Sequence, residues 1–475
     1  MSTDDDVLEA SAVEQARLVA DGAISARELT DRALARIDAR DPVLGAFLTV
    51  DHEGARAAAT QADEAMAAGR ARGPFHGVPF CVKDLLDTAG LRTTYGSALY
   101  REHVPTVDAP SVARMKAAGA IVLGKVNTPE FGLAAETVTT FGPTAKNPWD
   151  TSRTTGGSSG GTAAAVAARL CAIGLGSDAG GSIRLPAAWC GIVGLKPTYG
   201  RVPVQAKPVA ADHPSETVGP MANTVEDLAV MMDVIAGYDP ADPSSLPVPV
   251  PAHRAALDDR TTLVVAFGVD LGMGVAEDSI TIAIHDAMAD LAAAGAKVSE
   301  STLRVGQPHP FFVMFDLIAG SVAGRFADLD DRWQELADYS QTFIESGRRL
   351  SAADYVCAVY EAKKLRAAVD TALVDADVLI LPATAVVAWP HGAPPATVAG
   401  RPPAAHGGIT YGGLPYLALT SITGHPTAVV PVGLDPDGLP IGVQVVGRAF
   451  DEPAVLRAAA RLAEARPFVA RPPAR

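Results

Sequence analysis

Apolar residues along this chain follow two periods, and the chain switches between them repeatedly. From residue 7 to 72 they recur every three to four positions, as at Val13, Ala16, Leu18 and Val19, which predicts a helical segment. Within it Ser25, with Glu28 three residues on, reads as a capped helix start. The alanine-rich run 55–70 continues the same pattern. Short apolar runs at 78–82 and 120–125 predict strands, with a helix opening at Pro110 between them. The small-residue run 163–170 predicts a buried helix.

Beyond Val202 the signals thin out. Pro240, Pro243, Pro247, Pro249 and Pro251 mark 239–259 as a surface connection. A strand at 263–267, a helix at 278–294 and a strand at 297–299 follow. Residues 311–374 have helical spacing, with Trp333, Tyr339, Phe343 and Tyr355 expected in the core. A buried strand at 378–381 leads into a proline-, alanine- and glycine-rich loop at 382–408, of the length that often forms a binding rim. Strands at 428–432 and 441–446 and a helix at 452–464 complete the chain. Helices alternating with short apolar strands point to an α/β sheet covered on both faces.

Composition narrows the partners. The 475 residues are 48% hydrophobic and 20% charged, enough apolar material for a sizeable core. A formal net charge of −15 argues against nucleic acid as the main partner. No apolar run reaches the roughly 18 to 20 residues of a membrane span. The acidic start, Met1 to Asp6, lacks the basic residues and apolar core of a signal peptide, so a cytoplasmic location is expected. Cys81, Cys171, Cys190 and Cys357 lack metal-ligand spacing and read as reduced core thiols.

The chemistry concentrates in three short pieces. Ser158 sits in Gly156-Gly157-Ser158-Ser159-Gly160-Gly161, and Ser182 in Asp178-Ala179-Gly180-Gly181-Ser182-Ile183-Arg184-Leu185. Glycine beside a serine lets backbone N–H groups approach a substrate oxygen, and successive N–H groups at 179–182 are raw material for an oxyanion hole. Upstream, Lys83 ends the apolar run Val78-Pro79-Phe80-Cys81-Val82, where burial would favour the neutral amine. Lys125 also follows an apolar run, so residue type alone leaves two candidate bases. A Ser-His-Asp esterase is a further alternative, because Gly156 to Gly160 fits G-x-S-x-G and His391, His406 and His425 follow. No apolar strand leads into Ser158, however, and the second Gly-Gly-Ser has no role in that scheme. The histidines read as surface or loop residues.

Together these pieces resemble the amidase signature family of serine hydrolases, whose pattern is a lysine at a strand end, then G-G-S-S-G-G, then G-G-S-I-R-x-P. The likeness continues through Gly194-Leu195-Lys196-Pro197 and resumes at Gly438-Leu439-Pro440-Ile441-Gly442-Val443-Gln444. It implies one amidase domain over 1–475, with an N-terminal helical part at 1–72 and a variable, partly helical region at 205–375. The implied fold is α/β, with a central mixed β-sheet covered by helices on both faces. The implied site has Ser182 as nucleophile, Ser158 after a cis peptide bond as the bridge, and Lys83 as the base. Backbone N–H groups of Ala179, Gly180, Gly181 and Ser182 would hold the oxyanion, and Asp178 and Arg184 would brace the loop. The segment around Asn127 and Glu130 would likewise brace the site, which leaves Lys125 a structural part. No metal or cofactor is implied.

Substrate is less defined. Leu185 and Trp389 are expected in the pocket, favouring an apolar or aryl amide, with carbamates (urethanes) and esters reachable by the same acyl-enzyme. The glutamine-hydrolysing member of the glutamyl-tRNA amidotransferase complex shares these motifs. It usually carries glutamine where this chain has Leu185, and threonine where it has Ala179. A stand-alone hydrolase acting on a small amide or carbamate is therefore expected, with a homodimer left open.

Overall fold

The computed structural model describes residues 7–204, 216–403, 405–406, 409–410 and 414–473. The acidic start at 1–6, the first part of the variable stretch at 205–215, and residues 404, 407 and 408 of the expected loop lie outside these. The strands are β1 (Phe47–Val50), β2 (Pro79–Lys83), β3 (Ile121–Val126), β4 (Ile173–Asp178), β5 (Val193–Lys196), β6 (Thr217–Ala222), β7 (Val264–Phe267), β8 (Lys297–Glu300) and β9 (Val378–Pro382). A two-residue ribbon pairs β10 (Ala405–His406) with β11 (Ile409–Thr410), and β12 (Thr427–Leu434) and β13 (Pro440–Val446) follow. All but the ribbon join one eleven-stranded sheet in the order β1-β3-β2-β4-β6-β5-β12-β13-β9-β7-β8. It is mixed: β2 runs parallel to β3 and β4, and β7 parallel to β8 and β9, while β12 and β13 form an antiparallel hairpin.

Helices flank this sheet. Before β2 come α1 (Ala12–Ala20), α2 (Ala26–Leu44) and α3 (His52–Ala67). The middle of the chain supplies α4 (Pro110–Ala117), α5 (Gly160–Ala167), α6 (Arg184–Cys190), α7 (Val225–Ile235), α8 (His253–Ala256) and α9 (Asp278–Ala293). Three helices, α10 (Pro310–Arg325), α11 (Asp338–Arg349) and α12 (Ala352–Ala372), then pack together, followed by α13 (Pro415–Ile422) and α14 (Glu452–Ala465). The expected α/β architecture is therefore present. Ser25 caps α2 as its sequence predicts, accepting the Glu28 N–H at 3.0 Å. Among the described residues no helix is long and apolar enough to cross a membrane.

Several expectations need correction. The stretch 7–72 is not helical throughout, because β1 interrupts it and pairs antiparallel with β3. The variable region contributes β6, which lies inside the sheet between β4 and β5. Cys81, Cys171 and Cys190 are buried thiols, but Cys357 on α12 is exposed. His76 and His425 lie in loops, though buried, while His253 is buried on α8. His425 is accommodated in the interior because its ring nitrogens lie 3.0 Å from Thr423 Oγ1 and 2.9 Å from Asp370 Oδ1.

Helix α5 shows why the serine loop is so rich in small residues. Every one of its eight residues is buried. A Cβ on Gly161 would lie 2.3 Å from the Asn127 backbone nitrogen, too close for any side chain. The glycines let α5 sink against the end of β3, and Ser158 is placed two residues before it.

Candidate active site

Three chain segments meet at one cavity of about 550 Å³, whose wall includes Ser158, Ser177, Ala179, Gly180, Ser182 and Leu185. Lys83 comes from the last position of β2 and is fully buried. Its Nζ lies 2.7 Å from Ser158 Oγ, 3.0 Å from Ser177 Oγ and 3.3 Å from the Ser177 carbonyl oxygen. The peptide bond between Gly157 and Ser158 is cis. Ser159 ties the two serine loops together: its N–H donates to the Ser182 carbonyl at 3.0 Å and its hydroxyl to the Ser177 carbonyl at 3.1 Å. A buried amine, the hydroxyl it contacts and a partly exposed serine thus share one site. That arrangement can move a proton away from a nucleophile and return it to a leaving group.

The loop carrying Ser182 is clamped between the end of β4 and the start of α6. Asp178 Oδ1 accepts the Gly181 N–H at 2.8 Å and Arg184 Nη2 at 2.9 Å, while Oδ2 accepts the Ile183 N–H at 3.0 Å and Arg184 Nε at 2.9 Å. Arg184 then reaches Gln444 Oε1 at 2.8 Å, Ser421 Oγ at 2.7 Å and Thr420 Oγ1. Gln444 was visible in the C-terminal motif, but only the fold reveals that it completes this network. Of the expected oxyanion donors, the Gly181 N–H donates to Asp178 Oδ1 in this structure.

Burial alone would raise the Asp178 carboxyl, but the charge and hydrogen bonds of Arg184, with Lys196 and the Ile183 N–H, outweigh it and hold the group at about 2. Its contribution to stability is therefore complete above about pH 4 and lost as the pH falls through about 2. Replacing Arg184 with methionine leaves a buried carboxylate unpaired, and the expected loss is about 3 to 5 kcal/mol. Urea denaturation at pH 7 measures it. Pairing the change with Asp178→Asn should recover part of the loss, because both charges are then gone. A single-variant loss below about 1 kcal/mol would show that the pair does not hold the loop.

Lys125 is placed elsewhere. Its Nζ lies 3.0 Å from Thr88 Oγ1 and 3.1 Å from Thr93 Oγ1, against the Leu86 carbonyl. Leu185 and Trp389 both line the cavity. Residues 388–392 of the loop after β9 are tied to the cavity wall: Trp389 Nε1 donates to Glu136 Oε1 at 2.8 Å, the Gly392 N–H to Glu136 Oε2 at 3.1 Å, and Arg153 Nη1 to the Ala388 carbonyl at 3.0 Å. Trp389 also meets Trp189 edge to face at 4.6 Å. His391 joins this wall with Nδ1 3.8 Å from Glu136 Oε2, and burial chiefly lowers its pKa. The amine at hydrogen-bond distance from Ser158 is Lys83, which leaves the Ser-His-Asp alternative without its central contact.

The sequence reading missed part of the lining. Tyr339 and Phe343 of α11, expected in the core, face the cavity alongside Phe311, Met314, Phe315 and Ile318 of α10. Glu136 and Glu216 also reach it. Helical spacing marks an apolar face without saying whether a neighbour or a cavity covers it. Among the described residues no three His, Cys, Asp or Glu side chains are placed to share a metal ion.

The amidase family, as a sequence model, matches residues 28–456. The chain belongs to the amidase signature family. It is 38% identical over 471 residues to the A subunit of the glutamyl-tRNA(Gln) amidotransferase of Roseiflexus castenholzii, covering 94% of each chain. In structure it is similar to a bacterial aryl acylamidase of the amidase signature enzymes, with a TM-score of 0.89, 27% identity and coverage of 97% of this chain and 96% of that one. It is also similar to 6-aminohexanoate cyclic dimer hydrolase, with a TM-score of 0.84, 29% identity and coverage of 98% and 99%. The amidase signature assignment carries the reaction class with it: this is a hydrolase acting on amides.

Proposed function

We propose that this amidase signature enzyme works alone on apolar or aryl amides, through an acyl-enzyme on Ser182. The observation that carries the reading is the 2.7 Å contact between buried Lys83 and Ser158, at a cavity that also holds Ser182 and is walled in large part by apolar side chains. Ser182 Oγ attacks the carbonyl carbon while its proton passes through Ser158 to neutral Lys83. The carbonyl electrons move onto oxygen, where backbone N–H groups of the 179–182 turn receive them. The C–N bond then breaks, Ser158 returns the proton to the departing nitrogen, and water, activated by the same relay, hydrolyses the ester. Carbamates and esters enter the same sequence, because neither the nucleophile nor the oxyanion donors distinguish them.

A second reading, as one member of an amidotransferase complex, is favoured by the sequence relative named above. Against it stand Leu185, where that relative's kind usually has glutamine, and a cavity walled by Phe311, Phe315, Phe343 and Trp389, which suits an apolar group better than the polar side chain of glutamine. Purified chain without partners should release amine from anilides, primary amides and aryl carbamates. Truncating Trp389 to alanine should raise KM for an aryl substrate by roughly 10-fold, and for a small aliphatic amide by far less. Glutaminase activity appearing only when partner proteins are added would favour the second reading. Equal KM effects would make Trp389 a packing residue.

A further inference from the structure

One residue links the serine loop to the 388–392 wall of the cavity. Glu136 Oε1 accepts the Trp389 Nε1–H at 2.8 Å and Oε2 accepts the Gly392 N–H at 3.1 Å, so both carboxylate oxygens hold that wall. The Glu136 backbone lies against the serine loop instead. A Cβ on Gly157 would fall 2.7 Å from the Ala134 carbonyl oxygen and 3.1 Å from the Glu136 nitrogen, so segment 134–136 rests directly on the residue before Ser158. The next residue fastens that contact. Thr137 Oγ1 donates to the Gly156 carbonyl at 2.8 Å and accepts the Gly160 N–H at 3.2 Å. On the wall itself the Thr154 N–H anchors the Trp389 carbonyl at 3.0 Å, which leaves the setting of the indole to its contacts with Trp189 and Glu136.

The two attachments have different consequences. Thr137 keeps the serine loop in place whatever side chain stands at 136, whereas the Glu136 carboxylate sets where the indole stands relative to Ser158. This step rests on the reading above, in which Trp389 contacts the aryl part of the substrate. We propose that Glu136 is the positioning residue for aryl selectivity: its carboxylate holds the Trp389 ring and the Gly392 backbone at the distance from the serines that an aryl amide fills. Without it the indole N–H and the Gly392 N–H lose their acceptors in a cavity walled largely by apolar side chains, and the wall must shift to find others. A small aliphatic amide does not reach this wall, so its binding depends little on the carboxylate.

Benzamide and propionamide, which both release ammonia, test this. Glu136→Met removes both acceptors while keeping a side chain of similar length. It should raise KM for benzamide by roughly 5- to 10-fold and for propionamide by less than about twofold, with kcat for either changed by less than about threefold. Glu136→Gln keeps an amide oxygen for the indole N–H and should recover most of the benzamide KM. Trp389→Phe removes the donor instead of the acceptor and should shift selectivity in the same direction, which keeps the test open if Glu136→Met does not fold. The double variant should bind benzamide no more than about twofold worse than Glu136→Met, since both changes break one contact. Equal KM rises on both substrates, a loss of thermal stability with selectivity unchanged, or effects that multiply in the double variant would overturn the assignment. Failure of the underlying reading looks different: Trp389→Ala would itself leave the benzamide KM unmoved, and the role of Glu136 would fall with it.

Discussion

Lys83→Ala is expected to cut amide turnover by about 10³-fold or more, with the protein still folded. The amine is fully buried, and the oxygens it contacts include the hydroxyls of Ser158 and Ser177 and the Ser177 carbonyl. Only an uncharged amine can accept a proton, and burial disfavours a charge. Lys83→Arg should be almost as damaging although it keeps a cation, because a guanidinium does not deprotonate in a protein. Steady-state kinetics on an anilide, with circular dichroism to verify folding, separate loss of the base from loss of structure. An arginine variant keeping more than about a tenth of wild-type activity would remove Lys83 from the role of base.

Ser182→Ala should be more severe still, on the order of 10⁴-fold or more in kcat. The loop is clamped by the Asp178–Arg184 pair, which this substitution does not touch, so the backbone donors stay in place. Binding should survive: KM for an anilide, or Kd for an unreactive analogue, should shift by less than about threefold. Loss of binding together with turnover would mean that Ser182 shapes the cavity and does not form the acyl bond.

The residues proposed to bear this chemistry were legible because each sits in an unusual local context. Glycines around Ser158 and Ser182, and an apolar run ending in Lys83, have few structural explanations. The contacts that join them were less visible. Gln444 reaches Arg184 across the sheet, and Glu130 docks α11, through pairings that no local pattern encodes. Strand β6 escaped notice because Gly219 and Pro220 interrupt it, and proline is normally kept out of strands paired on both sides. The fold tolerates Pro220 because β5 pairs with β6 only at Met221 and Ala222. Strand β1 is just four residues long and lies between two helices, too short for its alternation to register. Tyr339 and Phe343 carried the right spacing for a packed helix face, and sequence could not reveal that a cavity stands opposite.

The central claim is a covalent bond to Ser182, and intact-mass analysis after incubation with a fluorophosphonate tests it most directly. One adduct per chain is predicted, mapped by peptide digestion to the fragment bearing Ser182, absent from Ser182→Ala and slowed by roughly 100-fold or more in Lys83→Ala. An adduct on Ser158 with Ser182 unmodified would contradict the account.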